Sequence, residues 1–135
     1  MYKYKYVITI ELILKPTNDK IILKRSDILT DLAVNTGLKS IVINELIDLA
    51  KNTDLFICEG MYGDDEKRSK ALEYHHMLFS EAAKLARAAG TKELWLTHLS
   101  PSMSEPEQYI DNARKIFANT VVGLDRMTKR IDFEE

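Results

Sequence analysis

The chain has 135 residues, 45% of them hydrophobic and 30% charged, enough for one domain of common size with a core of its own. A formal charge of −2 and a pI near 5.9 exclude a general polyanion binder, so any nucleic acid would have to meet a local patch. The single cysteine, Cys58, excludes an internal disulfide and fits a reducing cytoplasm, and no apolar run has membrane-spanning length.

The N-terminal segment alternates with period two. Tyr2, Tyr4, Tyr6, Ile8, Ile10, Leu12 and Leu14 share one face, and Lys3, Lys5, Thr9, Glu11 and Lys15 share the other, which predicts a strand with one buried side. Glu11 inside the apolar part and the lack of a small-residue cleavage site argue against a signal peptide. "PTND" (Pro16 to Asp19) supplies turn residues and "IILK" (Ile21 to Lys24) a return strand, so residues 1–25 are expected to form a β-hairpin. "DILTD" (Asp27 to Asp31) reads as a short strand ending in a polar loop. From Leu38 to Lys51 the spacing predicts a helix, with Val42, Leu46, Leu49 and Ala50 on one stripe and Ile43 and Ile47 beside it.

"DLFICEG" (Asp54 to Gly60) is a short apolar run between turn signals, the form of an interior strand. "GDDEKRSKALEYHH" opens with acid and continues with base, as a surface helix should. Leu78, Ala82, Leu85, Ala86 and Ala89 then make a helical stripe that Gly90 stops. "KELWLTHLSP" is the next interior strand. Ser104 with Glu107 has capping-box spacing, and the helix that follows should turn Tyr109, Ile110, Ala113, Ile116 and Phe117 inward. "TVVGLDRMTKRIDF" offers one or two closing strands. After the hairpin, strands alternate with helices, which predicts an α/β domain spanning residues 1–135.

In such folds, polar side chains at the carboxyl ends of interior strands line the ligand crevice. Asp31 follows "ILT", Glu59 follows "LFIC" and His98 follows "LWLT", while His76 precedes a helix from which a loop could bring it to the same edge. Two imidazoles and two carboxylates on one rim suit a zinc hydrolase. Each residue has a plainer reading too. A strand-end histidine is more often a hydrogen-bonded structural residue, and Glu59 could be a buried carboxylate satisfied by backbone N–H groups. His75 reads as a solvated helix-end residue and Cys58 as a small hydrophobe in a core strand.

The wording of three stretches adds to this. "DLFICEGMYGDDEK", "HMLFSEAAKLARAAGTKELWLTHLSP" and "IFANTVVGLD" closely resemble the C-terminal half of ribonuclease Z, the metallo-β-lactamase-fold endonuclease that trims the 3′ ends of precursor tRNAs. The resemblance runs over roughly residues 38 to 133, within a C-terminal part spanning 26–135, and does not reach the hairpin. It implies half of an αββα sandwich, a mixed sheet with helices mainly on one face. It also implies a role for each residue. His98, in "LTHLSP", matches the family's C-terminal zinc-ligand histidine. His76, in "HML", matches the histidine thought to help protonate the departing 3′ oxygen. Glu59, in "CEGMY", matches the family's strand-end glutamate and is expected to support the site by orienting His76.

Two departures qualify the match. The family's Asp-Thr pair, whose aspartate bridges two zinc ions, has two imperfect counterparts in "LTDLAVNTG". Asp31 keeps the strand-then-acid order, whereas Asn35 in "NTG" would mean that the acid is lost. The family's main zinc motif, His-x-His-x-Asp-His, has no counterpart, since no histidine precedes His75. The resemblance therefore implies an incomplete site that binds zinc weakly and needs a partner, either a complementing N-terminal half or a second copy in a two-fold dimer. The alternative is a non-catalytic protein- or RNA-binding module that retains the half-fold. A plain α/β domain with packed histidines is the remaining reading.

Overall fold

A computed structural model describes residues 7–9, 44, 47–74 and 76–132 of the chain. Four strands form one sheet in the order β1 (Val7–Thr9), β2 (Leu55–Glu59), β3 (Leu94–Thr97) and β4 (Thr120–Val122). All three pairings are parallel, with Ile8 opposite Phe56, Ile57 opposite Trp95, and Trp95 opposite Val121. The expected first strand thus contributes Val7–Thr9 to the sheet as a parallel neighbour of β2. The rest of the expected hairpin, and the short strand at 27–31, lie outside the described residues. Parallel strands need crossovers, and the helices supply them.

Between β2 and β3 the chain forms a 3₁₀ turn at Asp65–Lys67, then α1 (Arg68–Tyr74) and α2 (Phe79–Ala89). The Asp64 side chain accepts the Glu66 N–H at 2.9 Å and so starts the first turn. Only Ala71 of α1 is buried, as the acid-then-base sequence predicts for a surface helix. In α2 the face made by Phe79, Ala82, Ala83, Leu85, Ala86 and Ala89 is buried against the sheet. Its alanines let the helix axis come close to Phe56, Cys58, Leu94 and Leu96, all fully buried. Glu81 accepts the Leu78 N–H at 2.9 Å at the start of α2. Gly90 ends the helix in the left-handed region (φ 65°), with the Thr91 N–H returning to the Ala86 carbonyl at 3.3 Å.

Between β3 and β4, a 3₁₀ turn at Pro106–Tyr109 leads into α3 (Ile110–Arg114). The Ser104–Glu107 capping box does not form. The chain winds first as 3₁₀, with the Gln108 N–H on the Glu105 carbonyl at 3.1 Å, so the boundary falls at Glu105 and α-helical box spacing no longer applies. Ile110 and Ala113 do point inward, with Tyr109, Ile116 and Phe117 packed partly buried beside them. Residues 47–50 are helical as the spacing predicts, and Ala50 is buried, but Leu49 is 49% exposed and lies off the buried stripe. Only one closing strand, β4, is present among the described residues.

On the side of the sheet opposite α2, Ile57 and Val121 are half-buried. Leu55 and Trp95, which alternate with Phe56 and Leu94, are 2% and 6% exposed. No helix among the described residues is long and apolar enough to cross a membrane.

Candidate metal centre

Parallel strands put their carboxyl ends on one edge, and the two central strands end there in register, Glu59 opposite Thr97. His98 follows at once, with a φ of 56° that non-glycine residues adopt rarely and at a cost of roughly 1–2 kcal/mol. The turn is held on both sides: the Gly60 N–H donates to the Thr97 carbonyl at 2.9 Å, and the Ser100 N–H to the Met61 carbonyl at 2.9 Å.

His76 arrives from the α1–α2 connection, which is laced to the loop after β2. The Tyr62 N–H reaches the Met77 carbonyl at 3.3 Å, and the Phe79 N–H the Tyr62 carbonyl at 2.9 Å. The His76 N–H itself closes α1 onto the Ala71 carbonyl at 2.8 Å. Gly60 permits this close approach, because a Cβ there would stand 2.8 Å from Phe79 Cδ1 and 3.1 Å from Leu96 Cδ2.

These constraints place Glu59, His76 and His98 together. The Glu59 side chain is 3% exposed, and its Oε1 lies 2.9 Å from His76 Nδ1 and 2.9 Å from His98 Nδ1. Its Oε2 accepts the Met77 N–H at 2.8 Å. The two rings stand nearly perpendicular, at 88°, with centroids 5.6 Å apart. An ionised carboxylate only accepts, so each imidazole meets it through a protonated Nδ1, and each ring presents Nε2 on its far side. The His76 and His98 side chains are 23% and 43% exposed. The rim is therefore buried at the carboxylate and open at the rings.

Two plainer readings of Glu59 and the histidines are partly realised. Glu59 takes one backbone N–H, but it spends its other oxygen on two imidazoles. Both histidines have a structural partner, and that partner orients them toward an accessible edge. Asp31 and Asn35, between which the sequence left the bridging acid open, lie outside the described residues, as does His75. Tyr62 was not singled out by sequence, yet its ring lies edge-on to His76 with centroids 6.2 Å apart. Its only sequence signal is its place three residues after the strand-end glutamate.

One ligand atom from each of Glu59, His76 and His98 falls within a 4.8 Å cluster, the one group of three such donors among the described residues. With both Nδ1 atoms turned to Glu59, the two Nε2 atoms are the donors these residues leave for a borderline-soft divalent ion. Fold and site together thus describe an α/β protein with a candidate metal-binding edge.

Comparison with known proteins makes this more specific. The chain is 59% identical over 91 residues to Ribonuclease Z of Clostridium kluyveri, a stretch that is 67% of this chain and 30% of that protein. It is 56% identical over 92 residues to Ribonuclease Z of Clostridium acetobutylicum and 50% identical over 93 residues to that of Clostridioides difficile, covering 68% and 69% of this chain and 30% of each relative. The matched stretch is the C-terminal part of these relatives, so the chain corresponds to about a third of their length. The crystal structure of the metallo-beta-lactamase fold protein YhfI from Bacillus subtilis is similar at 29% identity with a TM-score of 0.48, over 57% of this chain and 30% of that one. No protein-family model matches the chain.

Proposed function

We propose that the chain is a single folding unit equivalent to the C-terminal half of a ribonuclease Z-type phosphodiesterase, with half of a metallo-β-lactamase sandwich and half of a site that hydrolyses precursor tRNA at its 3′ end. The observation that supports this best is the shared oxygen: one buried Glu59 atom within 2.9 Å of both histidine Nδ1 atoms. An ordinary packing histidine needs no such device. A carboxylate that fixes two tautomers at once, at the carboxyl edge of a parallel sheet, is what a reacting centre requires.

His98 would hold zinc through Nε2, with Asp31 as the second ligand from this chain. A bound zinc supplies Lewis-acid polarisation at the phosphoryl group. His76 acts as the general acid. Its Nδ1–H rests on Glu59, whose charge compensates the imidazolium, and its Nε2–H is delivered to the departing 3′ oxygen. Glu59 is a positioning residue for both rings. A cytoplasmic location is in keeping with the one buried thiol, Cys58.

The remaining ligands must come from elsewhere, because no histidine precedes His75. We assign them to an N-terminal half carrying His-x-His-x-Asp-His, in preference to a second copy of this chain, which has no such motif to offer. The same absence favours a second reading, a non-catalytic protein- or RNA-binding module. Mixing the chain with the N-terminal half of a relative and assaying precursor-tRNA cleavage separates the two. Cleavage that requires both halves supports the enzyme reading; a stable mixture that leaves the RNA intact supports the module.

A further inference from the structure

A hydrogen bond fixes one atom of an imidazole and leaves its plane free to rock, because the torsion that turns the ring has broad wells. His76 is in that position at Glu59. Its Nδ1 sits 2.9 Å from Oε1, and the same oxygen serves His98 at 2.9 Å. The carboxylate therefore sets the tautomer of His76 but not the direction of its Nε2. Two rings bound that direction. The His98 ring stands at 88° to His76 with centroids 5.6 Å apart, and the Tyr62 ring at 78° with centroids 6.2 Å apart. Both separations lie in the range of about 4.5–7 Å in which perpendicular rings attract.

Tyr62 is itself held, and by groups other than His76. It is 9% exposed, in a small cluster with Met61, Ala71 and Leu78. Its backbone is laced to Met77 and Phe79. Lys70 Nζ lies 5.7 Å from the centre of its ring, within reach of cation–π attraction. Lys70 belongs to α1, the helix that ends just before His76, so one helix steadies the tyrosine and delivers the histidine. The next residue of the loop is backed from the other side. The Asn112 side chain donates to the Gly63 carbonyl at 2.8 Å, and a Cβ at Gly63 would collide with the Tyr109 side chain, so α3 packs directly on the loop after β2. A ring anchored in this way can constrain a neighbour that is less well anchored.

We propose that Tyr62 is a positioning residue for His76: its ring, steadied by Lys70 and by the lacing to Met77 and Phe79, sets the plane of the imidazole and so the direction of Nε2. The ring contact stands on the geometry alone, and its consequence for proton delivery rests on the phosphodiesterase reading above. Glu59 and Tyr62 then divide the work. The carboxylate decides which nitrogen of His76 carries its proton inward, and the tyrosine decides where the other nitrogen is aimed. The contact is made by the aromatic ring, so phenylalanine can replace tyrosine and an aliphatic side chain cannot.

The test starts with proton NMR of the whole chain. His76 ring protons should show Overhauser contacts to both Tyr62 and His98, and absence of the Tyr62 contact overturns the proposal. In Tyr62→Leu, which keeps apolar bulk without a flat ring, the His76–His98 contacts should weaken. The imidazole nitrogen resonances, set by Glu59, should hold their places. Tyr62→Phe should restore the contacts, and full contacts in Tyr62→Leu overturn the proposal. Where Tyr62→Leu does not fold, Lys70→Gln, at an exposed position, takes its place: the same contacts should weaken, and unchanged contacts overturn the proposal. Activity is then read in the complex with the N-terminal half of a relative. Tyr62→Leu should lower kcat by about 10- to 100-fold, the order of loss for a reacting group misplaced by roughly 1 Å, with KM and zinc content unchanged. Tyr62→Phe should recover it. In His76→Ala the same leucine should cost nothing more, because Tyr62 acts through the ring that has gone. An equal loss in both backgrounds would make Tyr62 a packing residue and overturn the proposal. A parent mixture that leaves precursor tRNA intact sinks the phosphodiesterase reading instead, and the Overhauser contacts still decide whether Tyr62 sets the ring.

Discussion

At Glu59 one carboxylate oxygen faces two imidazoles while the other takes the Met77 N–H, so three donors converge on the buried carboxylate. Glu59→Gln replaces one acceptor by an NH₂ group, and whichever way the amide turns it sets a donor against a donor. Leaving such a buried group unsatisfied costs about 1–3 kcal/mol. The variant should melt at lower temperature and lose the fixed Nδ1–H tautomers, seen as shifts of the imidazole nitrogen resonances. Unchanged nitrogen spectra would mean that the rings are set by backbone packing alone. The two histidines should separate by readout. In the complex with an N-terminal half, His98→Ala is expected to lose both metal and cleavage. His76→Ala should keep the metal and slow the chemical step by roughly 10²–10⁴-fold. Loss of metal in both variants would make His76 a ligand rather than an acid.

At the scale of elements, what the sequence made legible were the pieces with strong periodicity or firm stops. β2 and β3 read as apolar runs, and α2 read as an alanine-rich stripe ended by Gly90, because burial on a sheet and a left-handed cap both restrict residue type. Strand ends then brought Glu59 and His98 to one edge. The arrival of His76 was not legible as geometry, since it depends on the Tyr62–Met77–Phe79 backbone lacing, which any residue can make. The Ser104–Glu107 spacing misled because the local choice between 3₁₀ and α winding is worth little and is decided by packing. Gly60 tests the lacing. Gly60→Ala pushes a methyl into Phe79, which should cost about 1–3 kcal/mol and shift the His76 resonances. The start of α2 carries a pH dependence as well. Burial raises the pKa of Glu81 above its ordinary 4.5, against the lowering effects of the Leu78 N–H and Arg68. The folded state therefore keeps this proton to higher pH than the unfolded chain. Its contribution is fully present below the ordinary value and is lost as pH rises through the folded one. Urea midpoints of the parent chain should fall over that window relative to Glu81→Gln, which has no proton to lose. Parallel curves would show that Glu81 titrates alike in both states.

At the scale of the molecule, the decisive quantity is how many ligands one chain can bring to a metal. Half a sandwich has a sheet face to cover and hence a reason to dimerise, and on that face Leu55 and Trp95 are buried while Ile57 and Val121 are half-buried. The argument from ligands is separate. On the proposed reading His98 with Asp31 offers two donors, and a zinc site commonly uses three or four protein ligands. Recruiting His76 as a third would turn its Nε2 from proton donor to ligand and remove the acid. The isolated chain should accordingly keep well under one zinc per molecule after dialysis and should leave precursor tRNA intact, with zinc or manganese added. General-acid help of roughly 10²–10⁴-fold is far short of the 10⁶-fold or more by which enzymes accelerate reactions, so a correctly held His76 cannot carry the reaction alone. Adding the His-x-His-x-Asp-His half should raise zinc retention and cleavage together, since both depend on the same completed shell. Elemental analysis and the cleavage assay on the same samples check this. A tightly held stoichiometric zinc in the chain alone would show that ligands converge from a second copy, and sedimentation would then have to find a dimer.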